Sequence, residues 1–211
     1  MFNKKNLLAM LVASAFAGSV NADVLYSNGT VDGNTNAFDI SSGYVVADTF
    51  SLSAASNLSG VTFDSWDAYA NDVTAVDWTI FSGSGTGATG PTGTVVASGV
   101  QSLITSTTSL LTNSQFYVVE ANTFTLANLN LAAGTYWLEL ANATTTSGAD
   151  VYWDVNSTGS SLAWSNAPGT IGAVSNSFQV TGAAVPLPGA AWMFASALAG
   201  LGAIRRMARK A

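Results

Sequence analysis

Asp64 and Asp67 flank Trp66 within four residues. This is the make-up of a sugar-cleaving site, a carboxyl pair beside a ring on which a sugar can stack. Glycoside hydrolysis needs two carboxyl groups at a set separation, one of them with a raised pKa. In a regular strand, however, successive side chains point to opposite faces. Asp64 and Asp67 would then face away from each other, which argues against a catalytic pair. The only glutamates, Glu120 and Glu139, fall in separate strand-like stretches, and nothing in their spacing makes them converge. The plainer expectation for all four is solvent-facing strand charge, which discourages edge-to-edge association.

Two other groups of residues could bind rather than react. Asp32-Gly33-Asn34-Thr35-Asn36 sets Asp, Asn and Asn at alternate positions, as an oxygen-ligand calcium loop begins. The sixth position is Ala37 and the twelfth is Gly43, where an EF-hand needs Gly and a bidentate Glu, so it is not that motif. A turn of residues that tolerate left-handed geometry and bond their own backbone explains it better. A structural calcium held by carboxylates from separate loops stays open for so acidic a chain, without assigned residues. The second group is the tryptophans Trp66, Trp78, Trp137, Trp153 and Trp164. Tyr152-Trp153-Asp154 and Trp164-Ser165-Asn166 combine a ring with groups that bond hydroxyls, so Trp153, Asp154 and Trp164 are candidate contacts for a neutral glycan. The competing expectation is that these rings fill a core short of Leu and Ile. Trp78, in step with Val76 and Ile80, belongs in that core.

Composition removes most other chemistry. The chain has no Cys and no His, and its six basic residues are Lys4, Lys5, Arg205, Arg206, Arg209 and Lys210. All twelve acidic residues lie between Asp23 and Asp154, so the segment 23–184 has no cationic side chain and a formal charge of −12. A Ser-His triad, a thiolate nucleophile and a Schiff-base lysine are all excluded there. Zinc, haem and blue-copper sites lose their usual ligands, and no disulfide can brace the fold. Without cations to displace counterions from phosphates, nucleic-acid binding is excluded as well. Acidic polysaccharide would be repelled unless a divalent cation bridged the two. No catalytic residue and no metal ligand is assigned, and the expectation is a protein that is not an enzyme.

The elements that must position these residues are strands. From Asp23 onward, short β-branched or aromatic runs alternate with Gly, Ser, Asn and Thr clusters. Strands are expected at 23–27, 43–53, 59–70, 73–82, 94–100, 115–126, 134–142, 151–156, 161–165 and 176–181. Val46, Asp48 and Phe50 share one face, as do Val61, Phe63 and Ser65, then Val76, Trp78 and Ile80, then Tyr136, Leu138 and Leu140. The glycine-rich stretch Gly83–Gly93 lacks the lysine and helix of a phosphate cradle and reads as a flexible connection. About ten short strands with turn signals between them predict an all-β fold, an antiparallel β-sandwich of jelly-roll type.

Helices are expected only at the two ends. Lys4 and Lys5 precede the apolar run Leu7–Gly18, and small residues lead to Val20-Asn21-Ala22. That is a signal peptide over 1–22 cleaved between Ala22 and Asp23, ahead of an ectodomain over 23–182. The segment 183–211 holds Val185-Pro186-Leu187-Pro188, then an uncharged apolar run of sixteen residues, Gly189–Ile204, then Arg205, Arg206, Arg209 and Lys210. As a helix the run spans roughly 24 Å, short of a bilayer core of about 30 Å. The basic cluster would hold its C-terminus in the cytoplasm as a stop-transfer signal.

This tail resembles the PEP-CTERM sorting signal in its Val-Pro-Leu-Pro form. Val185–Pro188, the small residues after them, Trp192 and Arg205-Arg206 carry the resemblance, which covers the last 27 residues. It implies a Gram-negative bacterium that makes exopolysaccharide, and processing near the proline motif by an exosortase after passage through the secretion translocon. The chain would be an inner-membrane-tethered intermediate and then a protein of the cell surface or extracellular matrix. Val46-Ala-Asp-Thr-Phe50, Val76-Asp-Trp-Thr-Ile80, Leu131–Leu138, Val151-Tyr-Trp-Asp154 and Asn176-Ser-Phe-Gln-Val180 also look like sandwich domains that precede such tails. The resulting expectation is a non-enzymatic surface or exopolysaccharide-matrix protein. A neutral-glycan-binding module and a carboxylate-dependent glycosidase are its two alternatives.

Overall fold

Period-two alternation decides which side chains meet in this molecule. The computed structural model describes residues 22–29, 31–32, 36–68, 72–83, 85–86, 88–102, 104–107, 111–112, 117–157, 159, 163–166 and 175–185. The expected signal helix and transmembrane helix lie outside them, as do Pro186, Leu187, Pro188, Arg205, Arg206, Arg209 and Lys210. Among the described residues, no helix is long and apolar enough to cross a membrane.

The described residues form an all-β structure of antiparallel sheets, with strands numbered along the chain. The larger sheet contains β1 (Asp23–Ser27), β2 (Ala37–Asp39), β4 (Ser56–Ala68), β9 (Thr105–Ser106), β10 (Leu111–Thr112), β11 (Tyr117–Leu131), β13 (Val151–Asn156), β15 (Ser175–Asn176) and β16 (Phe178–Ala184). The smaller has β3 (Val45–Leu52), β5 (Val73–Ser82), β8 (Thr94–Gln101), β12 (Gly134–Thr145) and β14 (Ala163–Ser165), in the order β14-β3-β12-β5-β8. The remaining pair, β6 (Gly85–Thr86) and β7 (Gly90–Pro91), is a separate two-stranded ribbon.

The faces expected from the sequence are the faces that pack. Val46, Phe50, Trp78, Ile80, Leu138 and Leu140 of the smaller sheet share one core with Leu58, Val61, Phe63, Phe124, Trp153 and Phe178 of the larger. Rings join the two layers: Trp78 stacks on Phe124 at 6.4 Å and Tyr26 tilts against Phe50 at 6.1 Å. Burying each such side chain stabilises the fold by about 1.5–3 kcal/mol, and without disulfides this burial must hold the sheets together.

Three differences from the sequence reading have clear causes. The strand expected to end at Leu126 continues to Leu131, because Asn128 adopts a left-handed backbone (φ 47°) and the register with β4 shifts between Thr125 and Leu129. Asn142 (φ 49°) lies within the similar shift that carries β12 on to Thr145. Asn tolerates this geometry, and a bulge lets pairing resume beyond it. The glycine-rich stretch is also more than a connection, since the ribbon β6–β7 approaches two indole rings closely at Gly85 and Gly90. A Cβ on Gly85 would come within 2.8 Å of Trp137, and one on Gly90 (φ 70°) within 2.6 Å of Trp164. Only glycine allows so close a backbone approach.

The ends of the sandwich lie side by side. Asp23, the first residue after the expected signal cleavage, pairs with Gly182 across β1 and β16. Val185, the first residue of the proline motif, donates its N–H to the Ala55 carbonyl at 2.8 Å.

Candidate functional site

The chemistry of the molecule converges on β4. This strand lies inside the larger sheet, with β11 on one side and β16 and β13 on the other. Its residues alternate as the sequence requires. Val61 and Phe63 enter the core, so Ser65 and Asp67 follow on that face, and Asp64 and Trp66 take the other. The expected separation of Asp64 from Asp67 therefore holds. The expectation of solvent-facing charge does not: Asp67 is fully buried, and Asp64 and Glu120 are 7% and 6% exposed. An interior strand has no edge to guard. Glu139 is half-buried on β12, and burial raises its pKa against the opposing hydrogen bond from Thr79.

On the face away from the core, carboxylates are met by donors. Asp154 Oδ1 accepts the Trp66 indole N–H at 2.5 Å, and Asp64 Oδ2 accepts the Ser177 hydroxyl at 2.5 Å. Burial raises Asp64 to about 6, opposed by the Ser177 bond. Burial likewise raises Asp154 to about 7; the Trp66 bond opposes this, and the charges of Asp64 and Asp32 add to it. Next to them lies a network that ties the two sheets together. Asp48, fully buried on the core face of β3, accepts the Asn176 N–H at 2.5 Å and the Thr49 N–H at 2.6 Å. Asn28 donates to the Asn176 carbonyl at 2.7 Å, and Asn156 to the Asn28 carbonyl at 2.9 Å. Two buried oxygens of this region, Asp154 Oδ2 and Asn176 Oδ1, have no hydrogen-bond partner.

On the core face of β4 and β11, three carboxylate oxygens lack donors. Neither oxygen of Asp67 has a hydrogen-bond partner, nor does Oε2 of Glu120. Burial raises Asp67 to about 7, and the charges of Glu120 and Asp72 push the same way; its own backbone N–H opposes them without forming a hydrogen bond. Glu120 is also raised, by burial first and then by Asp72. Adjacent polar groups are occupied with one another. Asn122 donates to Ser65 Oγ at 2.8 Å and to the Glu120 carbonyl at 3.1 Å, and accepts the Ser106 hydroxyl at 2.6 Å.

The candidate glycan contacts do not form one surface. Trp153 is fully buried, its rings against Phe178 at 5.6 Å and Phe63 at 6.4 Å and its N–H bonded to the Ser177 carbonyl at 3.0 Å. No ring face is left for a sugar, and Asp154 is equally buried. The reason is register: Trp153 pairs with Ser65 on the core face of β4. Trp164 is half-buried on β14 against Gly90. The neighbouring Asn166 accepts the Val45 N–H at 2.7 Å, so its oxygen already has a donor.

Asp32, the first residue of the calcium-like loop, accepts the backbone N–H of Ser157 at 2.8 Å and also its hydroxyl, a contact between distant parts of the chain rather than the local turn bond expected. Gly33, Asn34 and Thr35 lie outside the described residues. Among the described residues, no group of three or more acidic side chains is assembled to hold a metal ion. Asp48 and the Asp67–Glu120 neighbourhood went unassigned in the sequence. Asp48 left a signal, its register with Val46 and Phe50; the approach of Glu120 to Asp67 left none within either strand.

No protein-family model matches the chain, and none of the curated proteins does. The geometry itself limits the chemistry: both carboxylate groups are enclosed, so a proton or a small cation fits them better than a sugar does.

Proposed function

We propose that this chain is an exported, non-enzymatic protein of the cell surface or exopolysaccharide matrix of a Gram-negative bacterium. It passes through the secretion translocon, loses residues 1–22, and is held in the inner membrane by its PEP-CTERM-like tail. An exosortase-type enzyme then processes the tail near Val185–Pro188. The observation that carries this reading is the order of parts in 185–211: a proline motif, an uncharged run and a terminal cluster of four cations. The charge partition supports it, because removing both ends separates every cation from a body of −12. The burial of Trp153 and Asp154 weighs against a glycan-binding platform, and the enclosure of Asp64, Asp67 and Glu120 weighs against a glycosidase.

The jelly-roll form of the sandwich is part of the same proposal. It is supported by the chain's repeated crossing between sheets, from β3 to β4 to β5 and from β11 through β12 and β13 to β14. The sorting step is tested by the double variant Pro186→Ala, Pro188→Ala in a host with an exosortase. The variant should stay in the membrane fraction at full tail length while the parent is released. Equal release of both would contradict the proposal.

A further inference from the structure

We propose that Asp67 and Glu120 hold a calcium ion on the core face of the larger sheet, with Asp72 contributing a third negative charge from the exposed side. The pairing of β4 with β11 sets Asp67 opposite Val118 and Ser65 opposite Glu120. Asp67 and Glu120 are thus diagonal neighbours on one face, about 7–8 Å apart across the strand pair, within mutual reach of their side chains. Three carboxylate oxygens there, both of Asp67 and Oε2 of Glu120, are buried with no hydrogen-bond partner. Asp72 stands exposed at the start of β5, where its charge acts on both.

An uncompensated buried carboxylate is costly, and the body has no Lys, Arg or His to pair with it. What remains is a proton or an external cation. One proton shared between the two groups bonds one oxygen of each and leaves the third orphaned, whereas one cation meets all three. The donors are oxygens only, which suits calcium and not zinc or copper. Since no three acidic side chains among the described residues converge at ligand spacing, the ion is held by Asp67, Glu120 and water, and Asp72 acts through its charge. Two carboxylates and a hydrated shell place the affinity with extracellular calcium modules, about 10⁻⁴–10⁻³ M. The contrast with the opposite face of β4 is direct, because Asp64 and Asp154 there each have a protein donor.

The test is thermal unfolding of the full chain at pH 8, in chelator and in calcium chloride. At a hundredfold excess over Kd, calcium should raise the unfolding temperature by about 5–10 °C, with titration calorimetry giving one ion per chain. Asp67→Asn and Glu120→Gln should each abolish the shift, Asp72→Asn should weaken binding several-fold, and Asp154→Asn should leave the shift in place. An unfolding temperature that ignores calcium and falls only as pH rises would make a proton the occupant and overturn the proposal. A shift that persists in Asp67→Asn would place the ion elsewhere and overturn it equally.

Discussion

Asp64 and Asp67 lie three residues apart on one strand, and burial raises the pKa of both, yet their surroundings differ in the donors that meet them. On the outer face the fold supplies donors: Ser177 to Asp64, Trp66 to Asp154. On the core face it supplies none, and Asp67 has only the like charges of Glu120 and Asp72 for company. Hydrogen bonds to a charged group are worth about 1.5–3 kcal/mol each, so the donors of the first face offset part of what burial costs its carboxylates. The second leaves a deficit that something outside the chain must fill. A single strand thereby carries a structural site and a receptive one, and the difference is the placement of a few donors.

That contrast can be broken from either side. The largest effect is expected from Trp66→Phe, which keeps an aromatic ring but removes the donor to Asp154 and part of the buried indole. It should cost about 1–3 kcal/mol in urea unfolding at pH 8, the usual penalty for orphaning a buried polar group. At pH 5 the loss should shrink, because Asp154, with a pKa raised to about 7, is then protonated in the fold. A cost that does not change with pH would mean that Trp66 acts through packing alone.

A smaller and opposite effect is expected from Asp67→Asn in chelator, a gain of about 1 kcal/mol at pH 8. The sign follows from linkage. Asp67 has a folded pKa of about 7 against an ordinary 3.8, so the unfolded chain releases its proton first. Its contribution to stability therefore falls as pH rises from about 4 to 7 and is constant above that. Asp64 and Asp154 add slopes of the same sign. The Asn variant should flatten the urea midpoint against pH without abolishing its fall; an unaltered slope would show that Asp67 does not titrate in this window.

Much of the architecture is legible in the sequence because alternation is local. Val46–Phe50, Val61–Ser65 and Val76–Ile80 each show which face is apolar, and those faces form the core. The same reading equates polar with exposed, and there it fails, for Asp48, Asp64 and Asp67 occupy buried positions that alternation alone cannot distinguish from wet ones. Which residues become neighbours depends on register between distant strands. Glu120 comes diagonal to Asp67, and Trp153 enters the core beside Ser65, through pairings that neither segment encodes by itself. The bulges at Asn128 and Asn142 are similarly hidden, since an Asn within a polar run signals a strand end as readily as a bulge.

The account depends on a body without cations, because Arg205, Arg206, Arg209 and Lys210 would otherwise be the chain's own answer to its buried acids. The most direct test is the intact mass of the protein recovered outside the cell from a host with an exosortase. The account predicts a chain that begins at Asp23 and ends near Val185–Pro188, allowing for any group attached during processing. A recovered protein that still ends at Ala211 would contradict it.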